Sequence, residues 1–256
     1  MRRLIALFTT GIVSSCGEVR DAALADGSLT DASANAANRS ISLNGTNQFA
    51  STGNTGINLG LPVTYEAWAY TGSTSPTSLQ RIVISERLTT NAYTPLQIQI
   101  SQSGVWQCVF TNNSPQPSQQ VNLNTSVTVA ANTWTHLALA LSDTSADCYV
   151  NGVLKAQQGV AITLPTTAKA GWEIGAGYQG GFPDGAFFAG LIDEVRVWSS
   201  YRSVDDIRSA MNAPLSGREN SLKAYWKFDD ALLDATPNGF DLTGVGTPSF
   251  STNVPY

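Results

Sequence analysis

Histidine is all but missing from this sequence: His136 stands alone among 256 residues. Cysteine is scarce too, with Cys16, Cys108 and Cys148 far apart. So few imidazoles and thiols form no cluster, which excludes zinc-type centres built from them. No serine sits in a G-x-S-x-G turn, so the frame of a Ser-His-Asp hydrolase is absent. Charge is also thin, at 13% of residues, with 14 basic against 19 acidic and a net charge of −5. That balance argues against a disordered or coiled-coil chain, and an acidic surface repels phosphate backbones, which excludes nucleic acid as the main partner. The apolar stretch Leu4 to Val13 is ten residues long, too short for a permanent membrane helix.

What the chain has instead is 42% hydrophobic residues and 22 glycines, with Asn, Gln, Ser and Thr filling the polar share. That mixture suits strands and tight turns. Residues 1–15 read as an export leader: Arg2 and Arg3 precede the apolar stretch, and Val13-Ser14-Ser15-Cys16 follows. The last four resemble a bacterial lipobox, in which Cys16 becomes the lipidated N-terminus; an ordinary secretory signal with an incidental cysteine is the other reading. Either places the domain outside the cytoplasm, with the membrane touched only through a lipid anchor. Loss of Arg2 and Arg3 leaves 12 basic and 19 acidic residues, a net charge of −7. If Cys16 carries lipid, Cys108 and Cys148 remain as an even pair in an oxidising compartment, either bridged or as two buried thiols.

Residues 16–38 lack aromatics and read as a flexible tether. From residue 39 to 256 short apolar runs alternate with turn residues, among them Val63 to Tyr70, Leu96 to Ile100, Val105 to Phe110, Val121 to Val129 and Thr135 to Leu141. Asn151-Gly152 between Tyr149-Val150 and Val153-Leu154 predicts a type I′ hairpin. So many short strands predict an all-β sandwich or barrel. One short helix interrupts them near residues 203–211, with Ser203 as N-cap and Val204, Ile207 and Met211 at helical spacing.

Several segments resemble the laminin-G-like jelly-roll domains of the concanavalin A-like lectin and glucanase superfamily. They are Leu43-Asn44-Gly45-Thr46-Asn47-Gln48-Phe49, Glu66-Ala67-Trp68, Trp134-Thr135-His136-Leu137-Ala138, Tyr149-Val150-Asn151-Gly152, Gly190 to Trp198 with Asp205-Asp206-Ile207, and Leu222 to Asp229. Their order covers about residues 40–246. The resemblance implies two antiparallel sheets in jelly-roll order, and it leaves function open between lectin, adhesion module and glycosidase. Relatives often hold one calcium at the sandwich rim, which implies Asp193 as ligand with Asn44 and Asn47 from the opening turn. An Asp common near that turn in relatives is Asn here.

His136 shares a strand face with Ala138 and Ala140, opposite Leu137, Leu139 and Leu141, and reads as structural. Asp193-Glu194 is the nearest candidate for a glycosidase acid pair, but adjacent strand residues point to opposite faces, and Asp193 falls with Val195 and Val197 on the inward one. Glu66, Asp193, Glu194 and Asp229 could still converge from separate strands. The tryptophans, including Trp68, Trp106, Trp134 and Trp198, read as core. For ligand contact the Gly-rich segment Gly175 to Gly185 is the most informative, with Tyr178, Gln179, Phe182 and Asp184 as candidates; it carries no phosphate-cradle Lys. Asn91-Ala92-Tyr93 and residues 112–120 are lesser loops. The expectation is a non-catalytic extracytoplasmic module that binds a glycan or another cell-surface ligand. A structural protein–protein adhesion domain is the alternative, and a glycan-cleaving hydrolase comes last.

Overall fold

Leu137, Leu139 and Leu141 are buried in one hydrophobic cluster, while Ala138 and Ala140, between them in sequence, belong to another. A single strand thus divides two cores, as strict alternation requires. The structure is a computed structural model and describes residues 37–57, 59–72, 81–88, 95–113, 119–159, 161–165, 169–179 and 182–256. The expected leader, the tether with Cys16, and Asn91-Ala92-Tyr93 lie outside the described residues, as do 114–118 of the second lesser loop.

In chain order the described strands are β1 (Ser40–Asn44), β2 (Phe49–Ser51), β3 (Val63–Tyr70), β4 (Arg81–Leu88), β5 (Leu96–Ile100), β6 (Val105–Asn112), β7 (Gln119–Thr128), β8 (Thr135–Leu141), β9 (Ala146–Val150), β10 (Val153–Gln158), β11 (Lys169–Ile174), β12 (Gly177–Gln179), β13 (Phe182–Gly185), β14 (Ala189–Trp198), β15 (Leu222–Trp226), β16 (Thr243–Val245) and β17 (Ser249–Ser251), with helix α1 (Val204–Ala210) between β14 and β15. The first sheet runs β10-β9-β8-β3-β14-β1-β17, with β15 also on β14, and the second runs β16-β2-β11-β4-β5-β6-β7. All described pairings are antiparallel. This is the two-sheet jelly-roll sandwich expected from the sequence. The segment read as a Gly-rich loop instead forms a two-stranded ribbon, β12 with β13.

Between the sheets lie Trp106, Trp172, Trp226, Phe110, Phe188 and Phe228, each at most 1% exposed. A polar contact enters this layer: Tyr65 donates its hydroxyl to buried Glu86 Oε1 at 3.1 Å and accepts from Trp172 Nε1 at 3.0 Å. Cys108 on β6 and Cys148 on β9 are bridged, with Cα atoms 5.9 Å apart, so the disulfide joins one sheet to the other.

The first sheet is covered on its outer face as well. Ser203 caps α1 with its side chain, and Asp206 returns a bond to the Ser203 backbone, completing a capping box. The helix buries Ile207 against Ala138, Ala140 and Tyr149. Asn151 and Gly152 both have positive φ, 51° and 67°, as a type I′ turn demands. A Cβ on Gly152 would lie 2.8 Å from Arg208 Cγ, so glycine also lets the helix settle on the hairpin. The tryptophans read as core are divided by this second layer, and of the four named only Trp134 is not buried. Trp106 is in the main core, but Trp198 packs with Leu222 and Tyr225 in a separate cluster. Trp68 reaches Met211 O at 2.7 Å, and half-buried Trp134 reaches Asn253 Oδ1 at 2.9 Å.

Candidate functional site

Of the four residues proposed for ligand contact, Tyr178 and Gln179 fall on β12 and Phe182 and Asp184 on β13; their side chains lie outside the described residues. The backbone shows where the ribbon begins. Ser85 Oγ donates to Ala176 O at 2.9 Å, and Ile82 N donates to Ala186 O at 3.0 Å. Ile82 and Ser85 pair across β4 and β5 with Gln99 and Gln97, which alternate with core residues Ile98 and Ile100. All four therefore face outward from the second sheet. The ribbon starts on this outer face, beside β5.

Next to it lies a feature the sequence reading missed. Register places Gln99, Gln107 and Asn124 in one row across β5, β6 and β7, and Gln97, Val109 and Asn122 in the next. Gln97 Nε2 donates to Gln99 Oε1 at 2.7 Å, and Gln99 Nε2 donates to Gln107 Oε1 at 2.6 Å. Gln97 Oε1 is buried and accepts no hydrogen bond. Beyond the chain of amides, Ser101, Gln102, Ser103, Gln107, Gln120, Asn122 and Asn124 line a depression of about 320 Å³. Each is uncharged, and each side chain can both donate and accept. The signal was present in Leu96-Gln97-Ile98-Gln99-Ile100 and in Val121-Asn122-Leu123-Asn124, where amides occupy every second position.

The acidic residues gather elsewhere, on the outer face of the first sheet. A β-bulge between Asp193 and Arg196, with Glu194 at φ 51°, breaks the alternation expected for β14. Ile192, Val195 and Val197 point into the core, with two residues rather than one between the first two. Asp193 therefore pairs with outward-facing Trp68 rather than pointing inward, and Glu194 lies on the same side. Glu194 Oε2 accepts from Arg196 Nη2 and from Tyr225 Oη, each at 2.5 Å. Arg196 also donates to Ala210 O and Ala213 O, both at 2.8 Å. Asp193 Oδ1 accepts the Glu194 N–H at 2.8 Å, while Oδ2 is buried without a partner. Burial first, and then the charges of Glu194 and Asp229, push the Asp193 carboxyl up to about 9.

A raised acid beside a second carboxyl is what a glycosidase general acid needs. Here Asp193 is 1% and Glu194 5% exposed, and Arg196 and Tyr225 hold the second carboxylate. His136 is likewise 1% exposed, with Nε2 at 3.2 Å from Glu66 Oε2. Asp229 accepts the Arg39 N–H at 3.1 Å and lies close enough for its charge to act on Asp193 and to feel that of Glu194.

The residues implied for calcium do not fit together. Asn44 pairs with Ala189, four positions from Asp193 along β14, a separation of about 13 Å. Its side chain is spent within its own turn, donating to Asn47 Oδ1 and accepting from the N–H groups of Thr46 and Asn47. Among the described residues no three His, Cys, Asp or Glu groups converge so as to hold a metal ion.

Comparison with known proteins agrees with this architecture. The laminin G profile described as the concanavalin A-like lectin/glucanases superfamily matches residues 40–208, from β1 into α1. No curated protein matches the chain in sequence. A Bacteroides ovatus protein provisionally named as carbohydrate binding shares 16% identity at a TM-score of 0.62, over 84% of this chain and 59% of that one. The chain thus spans under two thirds of that protein's length. The heptameric SAP-like pentraxin of Limulus polyphemus shares 15% identity over 68% and 82% of the two chains, at a TM-score of 0.47. The LG4-5 domains of mouse laminin α1 share 13% over 63% and 41%, at 0.48. The sheet order and the profile lead to one assignment: the chain belongs to the concanavalin A-like lectin/glucanases superfamily.

Proposed function

We propose that this chain is a non-catalytic, extracytoplasmic binding module that recognises glycans through the amide face of its second sheet. The observation that carries the reading is the depression lined by Gln107, Gln120, Asn122 and Asn124, braced from beneath by the buried amides of Gln97 and Gln99. Sugar hydroxyls donate and accept, and primary amides answer both demands in a planar group. The ribbon whose sequence carries Tyr178 and Phe182 begins at one border of this face. Fold kinship with a protein provisionally named as carbohydrate binding supports the same reading. A non-catalytic role is supported by the burial of His136, Glu66, Asp193 and Glu194, none of which is open to a glycosidic bond.

The Cys108–Cys148 bridge supports export, since such bonds persist in oxidising compartments. Cys16, on this reading, carries the lipid that holds the domain at a membrane. The test is a glycan array probed with the intact domain and with the double variant Asn122→Ala/Asn124→Ala. Both side chains are exposed, so the fold should survive. Sugar binding that disappears in the variant is expected. Equal binding by both proteins, or none by the native domain, overturns the proposal.

A further inference from the structure

We propose that the outer face of the first sheet carries a second site, an aromatic pair edged by two amides, that takes an uncharged, proline-rich segment of a partner protein. Ala69 opposes Thr135 where β3 pairs with β8, so the next step of that register brings Tyr70 opposite Trp134. Ala67 and Ala69 lie in the core, so Tyr70 stands on the outer face by alternation, and Trp134 lies against it. The two ring centroids are 5.6 Å apart, the planes are tilted by 49°, and both side chains are half-buried. Leu191 on β14 flanks Tyr70 on the side away from Trp134. This surface is on the far side of the sandwich from the amide depression, so it stands independently of the glycan reading.

Hydrogen-bond direction selects the partner. Tyr70 donates its hydroxyl to Asn132 Oδ1 at 3.1 Å, and Trp134 Nε1 donates to Asn253 Oδ1 at 2.9 Å. Both ring donors and both amide oxygens are thus engaged. Asn132 and Asn253 are exposed, and their amide N–H groups make no bond among the described residues. The edge of the aromatic pair therefore offers donors. A proline-rich chain offers the complement: carbonyl acceptors, no N–H on its prolines, and apolar rings that lie against aromatic faces in the extended polyproline form. An ordinary extended peptide brings N–H groups, and a sugar brings hydroxyl hydrogens, that find no unengaged amide oxygen here. Among the described residues no charged side chain bonds to any of the four, so a charged segment would lose water without gaining a counter-charge.

Calorimetry of the intact protein with a decaproline peptide, and with a Gly-Ser peptide of equal length, tests this. Decaproline should bind and the Gly-Ser peptide should not. Asn132→Asp and Asn253→Asp keep the oxygen that Tyr70 and Trp134 need and remove the amide N–H, so the fold should survive. Asn132 has φ 57°, a conformation that Asp adopts far more readily than Ala. Each variant should weaken decaproline about threefold to tenfold, the loss of about one net hydrogen bond. Asn122→Ala/Asn124→Ala, on the opposite side of the sandwich, should bind decaproline as the native chain does, which separates this site from the glycan reading. Decaproline that binds equally well in both Asp variants, or no better than the Gly-Ser peptide, would overturn the site. Neutral oligosaccharides that lose affinity in the Asp variants while decaproline stays silent would make this surface a sugar platform and sink the proline-rich partner.

Discussion

Nε2 of His136 stands 3.2 Å from Oε2 of Glu66, and neither side chain reaches solvent. Burial alone would raise the Glu66 carboxyl, but the bond to His136 and the charges of His136, Arg196 and Arg202 hold it below the usual value of 4.5. A carboxylate depressed in the fold contributes stability above its unfolded pKa and loses it as pH falls through the folded one. The native urea midpoint should therefore drop as pH is lowered from about 4.5, and Glu66→Gln should flatten that drop. At neutral pH Glu66→Ala should cost about 3 kcal/mol, because it strips one partner from a buried pair. An unaltered acid limb in Glu66→Gln would show that the pair is not the source.

Asp193 carries the opposite sign. Its carboxyl is raised from 3.8 to about 9, so the protonated form belongs to the fold. Its contribution is complete below 3.8 and declines as pH rises, vanishing once pH passes about 9. Asp193→Asn keeps the shape and cannot ionise. Thermal unfolding should find this variant more stable than the native chain near pH 9 and close to it near pH 4. Calcium or chelator should leave Tm unchanged in both proteins, since Asn44 and Asn47 are held in another turn. A calcium-dependent rise in Tm that Asp193→Asn abolishes would show that a cation holds this carboxylate.

Where local pattern decided the structure, the sequence was readable. Asn151-Gly152 forms the turn its φ values require, and Ser203 caps the helix its spacing announced. Asp193 was misplaced because alternation was carried through β14 without a break. One extra residue at the bulge turned Asp193 and Glu194 to the same face, and nothing in Gly190 to Trp198 marks that insertion. The calcium set failed for a related reason: register between β1 and β14 is a long-range property, and it separates Asn44 from Asp193. The amide row needed both kinds of knowledge. Alternating Gln and Asn were visible within each strand, but their alignment depends on pairing across three strands.

The disulfide closes a loop of 40 residues and should contribute on the order of 4 kcal/mol by restricting the unfolded chain. Cys108→Ala/Cys148→Ala should lower the denaturant midpoint accordingly, with glycan binding retained at moderate temperature. Peptide mapping without reductant should recover the two cysteines joined. Two free thiols in protein taken from its native host would remove the argument for an oxidising compartment.

The anchor is checked by intact-mass measurement of the mature protein from native membranes. Cys16 should be the first residue and should carry the added mass of a lipid. A mature chain starting elsewhere without lipid would make the leader an ordinary secretory signal.

Gly177 links the ribbon to the amide face, and its role follows from space. A Cβ there would lie 2.7 Å from Ser85 Oγ, 2.8 Å from Ile82 Cδ1 and 3.0 Å from Ser85 Cβ. Ile82 and Ser85 are each 1% exposed, so neither has open room to retreat into. Gly177→Ala should therefore push the start of β12 off β4 and cost about 1–3 kcal/mol, the usual range for overpacking. Ser85→Ala removes the nearest atom together with its bond to Ala176 O, costing about 1 kcal/mol alone. Because the two residues touch, the double variant should be less damaged than the sum of the single ones. Hydrogen exchange should show faster opening of β12 and β13 in Gly177→Ala with β8 and β14 unchanged. Additive losses, or exchange that rises throughout the sandwich, would mean that Gly177 does not seat the ribbon in the way its geometry implies.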